Sequence, residues 1–94
     1  MKIIRIIIPV YVLDKLQWKH HVSEDEVHEL LRGNPKVFFV EKGDVKGEDV
    51  YLALGRTNAG RYLSVFYIYK QDKNALVLSA RDMSSKERRR YEKK

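Results

Sequence analysis

The sequence predicts an α+β domain with its elements in the order β-α-α-β-β-β-β-α. Three observations carry that expectation. Two serine capping boxes, at Ser23 and Ser84, mark the starts of helices. Between them the apolar period changes from helical to alternating, with turn-rich segments separating strand-like runs. Ahead of them stands a β-branched run closed by a proline.

Lys2 to Ile8 reads as a strand stopped at Pro9, and Pro9 suits the first position of a helix, where its missing N–H costs nothing. Val10 to Lys19 is expected to be that helix, with Leu13 and Leu16 sharing one face. In Ser23-Glu24-Asp25-Glu26 the serine caps while Glu26 reaches back to the Ser23 N–H. The helix it opens puts Val27, Leu30 and Leu31 on one side, carries acids in its first turn, and ends at Gly33 and Pro35.

From Lys36 the period is that of strands. Val37 to Glu41 is followed by the turn-rich Lys42 to Gly47, then by a strand from Val50 to Gly55 and a hairpin turn at Thr57-Asn58-Ala59-Gly60. Arg61 to Lys70 is apolar or aromatic on both alternating faces, which suits the centre of a sheet covered on both sides. Gln71 to Asn74 turns again, Ala75 to Arg81 is the last strand, and Ser84-Ser85-Lys86-Glu87 opens a short helix to Lys94. Hairpin connections make the sheet largely antiparallel, with helices packed on one side of it.

Ninety-four residues hold a single domain, 1–94. The net charge of +6 points to a polyanion or an acidic protein partner. With no cysteine there is no disulfide framework and no thiolate metal site. The longest apolar run, Ile6 to Ile8, falls far short of the roughly 20 residues that span a bilayer, and no cleavage site follows it. The expected location is the cytoplasm, with no membrane partner.

Few residues carry chemistry. His20, beside Lys19, reads either as a general acid or base or as a polar corner between two helices. His20, Glu24 and His28 have the spacing of metal ligands on one helix, but the Ser23 cap breaks that register, so neither a metal nor a cofactor is expected. Arg56, Arg61 and Arg81 stand at strand ends, either as solvated charges or as guanidinium forks converging on one phosphate. Arg88, Arg89, Arg90 and Tyr91 lie on a final helix with almost no apolar stripe, suited to RNA, to an acidic partner, or to solvent alone. Tyr51, Tyr62, Phe66, Tyr67 and Tyr69 have the spacing of cross-strand packing rather than of a base-stacking platform.

Several of these segments resemble the BrnT family of toxins when read in order. Lys19-His20-His21-Val22-Ser23 before an acidic capped helix is similar to that family's Lys-His-Gly-Val segment. Leu54-Gly55-Arg56-Thr57, Gly60-Arg61-Tyr62-Leu63, Leu78-Ser79-Ala80-Arg81 and Glu87-Arg88-Arg89-Arg90-Tyr91 resemble its remaining signatures over about Lys19 to Glu92. The resemblance implies a RelE-like fold, an RNA substrate and a ribbon-helix-helix antitoxin of the BrnA kind. By position it carries over His20, Lys19, Arg56, Arg61 and Arg81 as active-site candidates. Two departures stand out: His21 replaces the family glycine, and Glu48-Asp49-Val50 stands where the family has Glu-x-Arg.

RNA supplies its own nucleophile in the 2′-OH, so the implied chemistry needs no metal: a base, a phosphate clamp and an acid suffice. His20 is a candidate base or acid, and Glu48 a possible second member. The competing expectations are a toxin-like module that binds antitoxin or RNA without cleaving, favoured by Val50, and a RelE-fold relative acting on gyrase.

Overall fold

Pro9 caps the first helix rather than entering it. Its carbonyl accepts from the Val12 and Leu13 N–H groups at 3.0 and 2.9 Å, and helix α1 runs Val10–His20 with Val12 and Leu16 buried. Helix α2, Glu24–Arg32, starts at the Ser23 capping box with both reciprocal bonds made, and buries Val27, Leu30 and Leu31. In this computed structural model residues 1–93 are described. Among them the remaining elements are strands β1 (Arg5–Ile7), β2 (Lys36–Glu41), β3 (Val50–Arg56), β4 (Tyr62–Tyr69) and β5 (Asn74–Asp82), and helix α3 (Ser85–Glu92). The expected extension of the last helix to Lys94 lies outside the described residues.

The order is the expected one, and the five strands form one sheet in the order β1-β5-β4-β3-β2. β2 to β5 are antiparallel neighbours, with β4 in the middle as its two apolar faces suggested. β1 departs from the antiparallel pattern: it pairs parallel with β5, Arg5 opposite Asn74 and Ile7 opposite Leu76. Hairpin reasoning reaches only strands adjacent in sequence. This pairing instead closes a long loop, helped by Ile4 N–H on the Lys73 carbonyl (2.9 Å) and Arg32 on the Ile4 carbonyl (3.0 Å).

The helices do not share one side. α1 and α2 cover the face that presents Ala53, Leu63, Val65, Tyr67, Val77 and Ala80, and this is the apolar core. Gly55 lies on that face because a Cβ there would sit 2.9 Å from Leu30 Cγ. α3 lies on the other face, over Tyr62 and Ser64, and buries no residue of its own. Tyr67 is fully buried and stacks with Tyr51 at 6.0 Å, so these aromatics pack the sheet.

His21 explains one departure from the family pattern. It sits at the end of α1 with φ 54° and ψ 39°, a left-handed conformation, and the next N–H, of Val22, returns to the Leu16 carbonyl at 3.0 Å. Glycine is the ordinary occupant of such a position. His21→Gly is expected to raise stability by about 0.5–1 kcal/mol, the left-handed penalty less the extra chain entropy glycine loses. The His21 side chain is exposed, so little packing goes with it. Thermal unfolding should show a melting temperature raised by roughly 2–8 °C; an unchanged or lower value would contradict a strained His21.

Candidate active site

β3 ends at Arg56, β4 begins at Tyr62 and β5 ends at Asp82, so three strand termini meet at one end of the sheet. The turn between Arg56 and Tyr62 is closed by Thr57, whose N–H meets the Arg61 carbonyl at 2.9 Å while its hydroxyl accepts from the Arg61 N–H at 3.0 Å. Gly60 takes a φ of 93° there. The turn is fixed to α2 through the Asn58 N–H on Glu29 Oε1 at 3.0 Å.

Arg61 reaches from this turn to the corner between α1 and α2. Its guanidinium donates to the His20 carbonyl at 2.9 Å, the His21 carbonyl at 2.5 Å and Glu26 Oε1 at 3.2 Å. On its other side it forks onto Asp82, at 2.8 Å from Nε and 3.3 Å from Nη2. The hydrogen bond from Arg61 holds the Asp82 carboxyl below its ordinary value, with smaller contributions from His20 and His21. His20 itself is half-buried, while Lys19 beside it is exposed.

Arg81 lies on the opposite face, where Ser64 is its strand partner. It grips Glu87 of α3 with two bonds, at 2.6 and 2.8 Å. Glu87 also accepts from the Ser64 hydroxyl at 2.8 Å and from the Ser84 N–H at 2.9 Å. Partial burial disfavours its charge, but the bonds from Arg81, Ser84 and Ser64 outweigh that and hold its pKa at about 2. One carboxylate thus completes the helix cap and pins α3 to the sheet.

Arg56 is different. It is exposed, has no carboxylate partner among the described residues, and rests with its guanidinium carbon 5.2 Å from the centre of the Tyr62 ring. Arg88 lies against the same ring at 3.4 Å, and Tyr91 meets it edge-on at 5.9 Å. Arg88 has one exposed acid, Glu92, at 3.2 Å. Lys36 adds its ammonium to the Tyr91 ring at 5.6 Å. Cations attracted to ring faces leave their charge unneutralised, so this patch is a positive focus that suits a phosphate.

The sheet end carries Arg56, Arg61 and Arg81, on two faces and with different freedom; the His20 backbone is tied to it through Arg61, and Lys19 follows only as its neighbour in the chain. Arg61 and Arg81 have their forks occupied by protein groups. Glu48 is not there at all. It is buried at the opposite end of β3, bound by Lys70 at 2.9 Å and the Gln71 N–H at 3.1 Å, and its pKa is lowered chiefly by the Lys70 bond. The length of the strand puts it about 20 Å or more from Arg56. Val50 begins the same strand, on the face that carries Arg56. His20 and Glu24 fall on separate helices, either side of the left-handed His21, so the spacing of four does not align them. Sequence reasoning missed Asp82, Glu26, Glu87 and Tyr62. Glu26 and Glu87 had a signal, each as a capping residue.

The Glu87 contacts have a testable pH signature. Its folded pKa lies below the ordinary 4.5, so its stabilising contribution is complete above that value and is lost as pH falls towards about 2. The melting-temperature gap between the wild type and Glu87→Gln should therefore be flat above about pH 5 and close below 4.5. A gap independent of pH down to about 2 would mean that the carboxylate charge contributes nothing.

The sequence model of the family described as ribonuclease toxin, BrnT, of type II toxin-antitoxin system matches residues 14–87. That range holds every strand-end arginine, His20 and Glu87, and stops before Arg88. Comparison with curated proteins gives no match. Among solved structures, the ribonuclease toxin BrnT of Brucella abortus superposes with a TM-score of 0.63 at 20% identity, over 86% of this chain and 97% of that one. At that identity the likeness establishes a common fold. Among the described residues no helix is long and apolar enough to cross a membrane. With more than half of its length matched, the chain belongs to the BrnT family of ribonuclease toxins of type II toxin–antitoxin systems.

Proposed function

We propose that the chain cleaves RNA at the arginine end of its sheet, without a metal, using the RNA 2′-OH as nucleophile. The observation that carries this reading is Arg56: an exposed guanidinium, free of any carboxylate among the described residues, held against Tyr62 at the sheet end where His20 is fixed. In this scheme Arg56 and Lys19 stabilise the crowded phosphate, and His20 takes the 2′ proton or protonates the leaving 5′ oxygen. Arg88, Arg89 and Tyr91 guide the strand beyond it.

Arg61 and Arg81 act as positioning residues in this scheme. Arg61 works through the backbone of His20 and His21, and Arg81 through Glu87 and α3. Glu48, bound to Lys70 at the far end of the strand, has no part in the chemistry. The partner that restrains the toxin is, on this reading, a ribbon-helix-helix antitoxin of the BrnA kind, and both act in the cytoplasm where the RNA is.

A second reading, a module that binds antitoxin or RNA without cleaving it, draws on two features. Val50 occupies the position of a family arginine, and the Arg81 fork is filled by Glu87. One experiment separates the two. Purified protein incubated with RNA and a chelator should cut it, and Arg56→Ala should slow cutting about 10²–10³-fold while the fold persists by circular dichroism. Cleavage that needs a divalent ion would overturn the mechanism, and a fully active Arg56→Ala the assignment. Intact RNA with a folded wild type would establish the binding module.

A further inference from the structure

β2 is an edge strand, and its defences are few. Among the described residues no other strand pairs with its outer side. Val37, Phe39 and Val40 are 36%, 56% and 42% exposed, a high apolar exposure for six residues of open edge. Proteins usually guard such edges with lysine, proline or a bulge. Here the lysine is diverted: Lys36 turns its ammonium to the Tyr91 and Lys93 carbonyls at the end of α3, both at 2.6 Å. What remains as a guard is the exposed Glu41 at the end of the strand and the irregularity between Phe39 and Glu41.

Beside this edge, on the α3 face, lies a groove of about 350 Å³. Its floor and near wall are Leu52, Phe66, Phe39 and Val40, and its far wall is α3, with Lys86 and Arg90. Arg90 lies flat on the Phe38 ring at 3.7 Å, so its charge is held at the rim. The one acid in the lining, Glu87, is already neutralised by Arg81.

We propose that β2 and this groove take an extended segment of an acidic protein partner, which adds to the sheet as a further strand. The unpaired edge of β2 alternates donors and acceptors, a pattern that another peptide backbone matches and a phosphodiester chain does not. Strands lie about 4.8 Å apart, so a long apolar side chain of the added strand reaches over Val40 into the groove. Carboxylates on the same segment meet Lys86 and Arg90. A second copy of this chain is a poor occupant, because it would bring two molecules of net charge +6 together along their basic rims. The proposal rests on the antitoxin part of the reading above and is independent of RNA cleavage.

The test uses the full ¹⁵N-labelled chain and a blocked peptide of alternating valine and glutamate, with a valine–lysine peptide as control. The acidic peptide should shift the amides of residues 36–41 and slow their hydrogen exchange, and should bind at least about tenfold tighter than the basic one. Val40→Asp should weaken it by about tenfold, and Lys86→Glu should reverse the preference between the two peptides, with both variants melting as the wild type does. Because the peptide probes the surface directly, a chain that binds it yet leaves RNA intact overturns the cleavage reading alone. Equal affinity for both peptides, or shifts confined to Arg56 and Tyr62, would overturn the docking surface. Displacement of the peptide from β2 by an oligouridylate would assign the groove to RNA. Protection of β2 that grows with protein concentration in the absence of peptide would assign it to a second copy.

Discussion

The guanidinium of Arg61 is the tie on which the geometry of this molecule depends. From its hairpin turn it reaches the end of α1, the start of α2 and the end of the last strand, and it bonds to each of them. The carbonyls at the end of α1 would otherwise lack donors, since a helix leaves its final carbonyls unpaired. Glu26, already engaged in the Ser23 cap, is fixed a second time by the same arginine. A planar fork with five donors is suited to this work in a way that a lysine ammonium is not. Position 61 is therefore where a basic residue at a strand start becomes a structural hub.

The two faces of the sheet are built on different physics. Under α1 and α2 lies a packed apolar core, whose contribution follows from area removed from water and is insensitive to salt. Under α3 the adhesion comes from one half-buried carboxylate, cations on aromatic rings and a lysine on backbone carbonyls. These contacts are directional and electrostatic, and salt weakens the exposed ones. The polar helix is thus held in a defined place without a hydrophobic stripe, with Arg88 and Arg90 folded onto sheet aromatics and Lys86 and Arg89 left exposed.

Local chemistry made most of the fold legible. Ser23 and Ser84 announce their helices because a capping box is a contact within four residues, and β4 announces its central place through apolar residues on both faces. What stayed hidden was set by partners distant in sequence. The parallel mate of β1, the side of the sheet chosen by α3, and the carboxylates that occupy Arg61 and Arg81 all lie beyond any local window. The strand-end arginines were visible as candidates, but their freedom was not. Glu48 illustrates the converse: a motif acid near a strand reads like chemistry until Lys70 is seen beside it.

The β1–β5 pairing has a consequence for how the molecule comes into being. Arg5 waits for Asn74, and the apolar side of α1, with Val12 and Leu16, belongs to a core that includes Ala75, Val77 and Ala80. A nascent chain carries β1 without the surface that shelters it until β5 has been made. Closing so long a loop comes late in folding, because its entropy must be lost before the contacts reward it. A chain interrupted before β5 lacks both the strand that seats β1 and Asp82, the second carboxylate on Arg61. Assembly of the Arg61 corner thereby waits for β5, because until Asp82 exists the arginine has Glu26 as its one carboxylate.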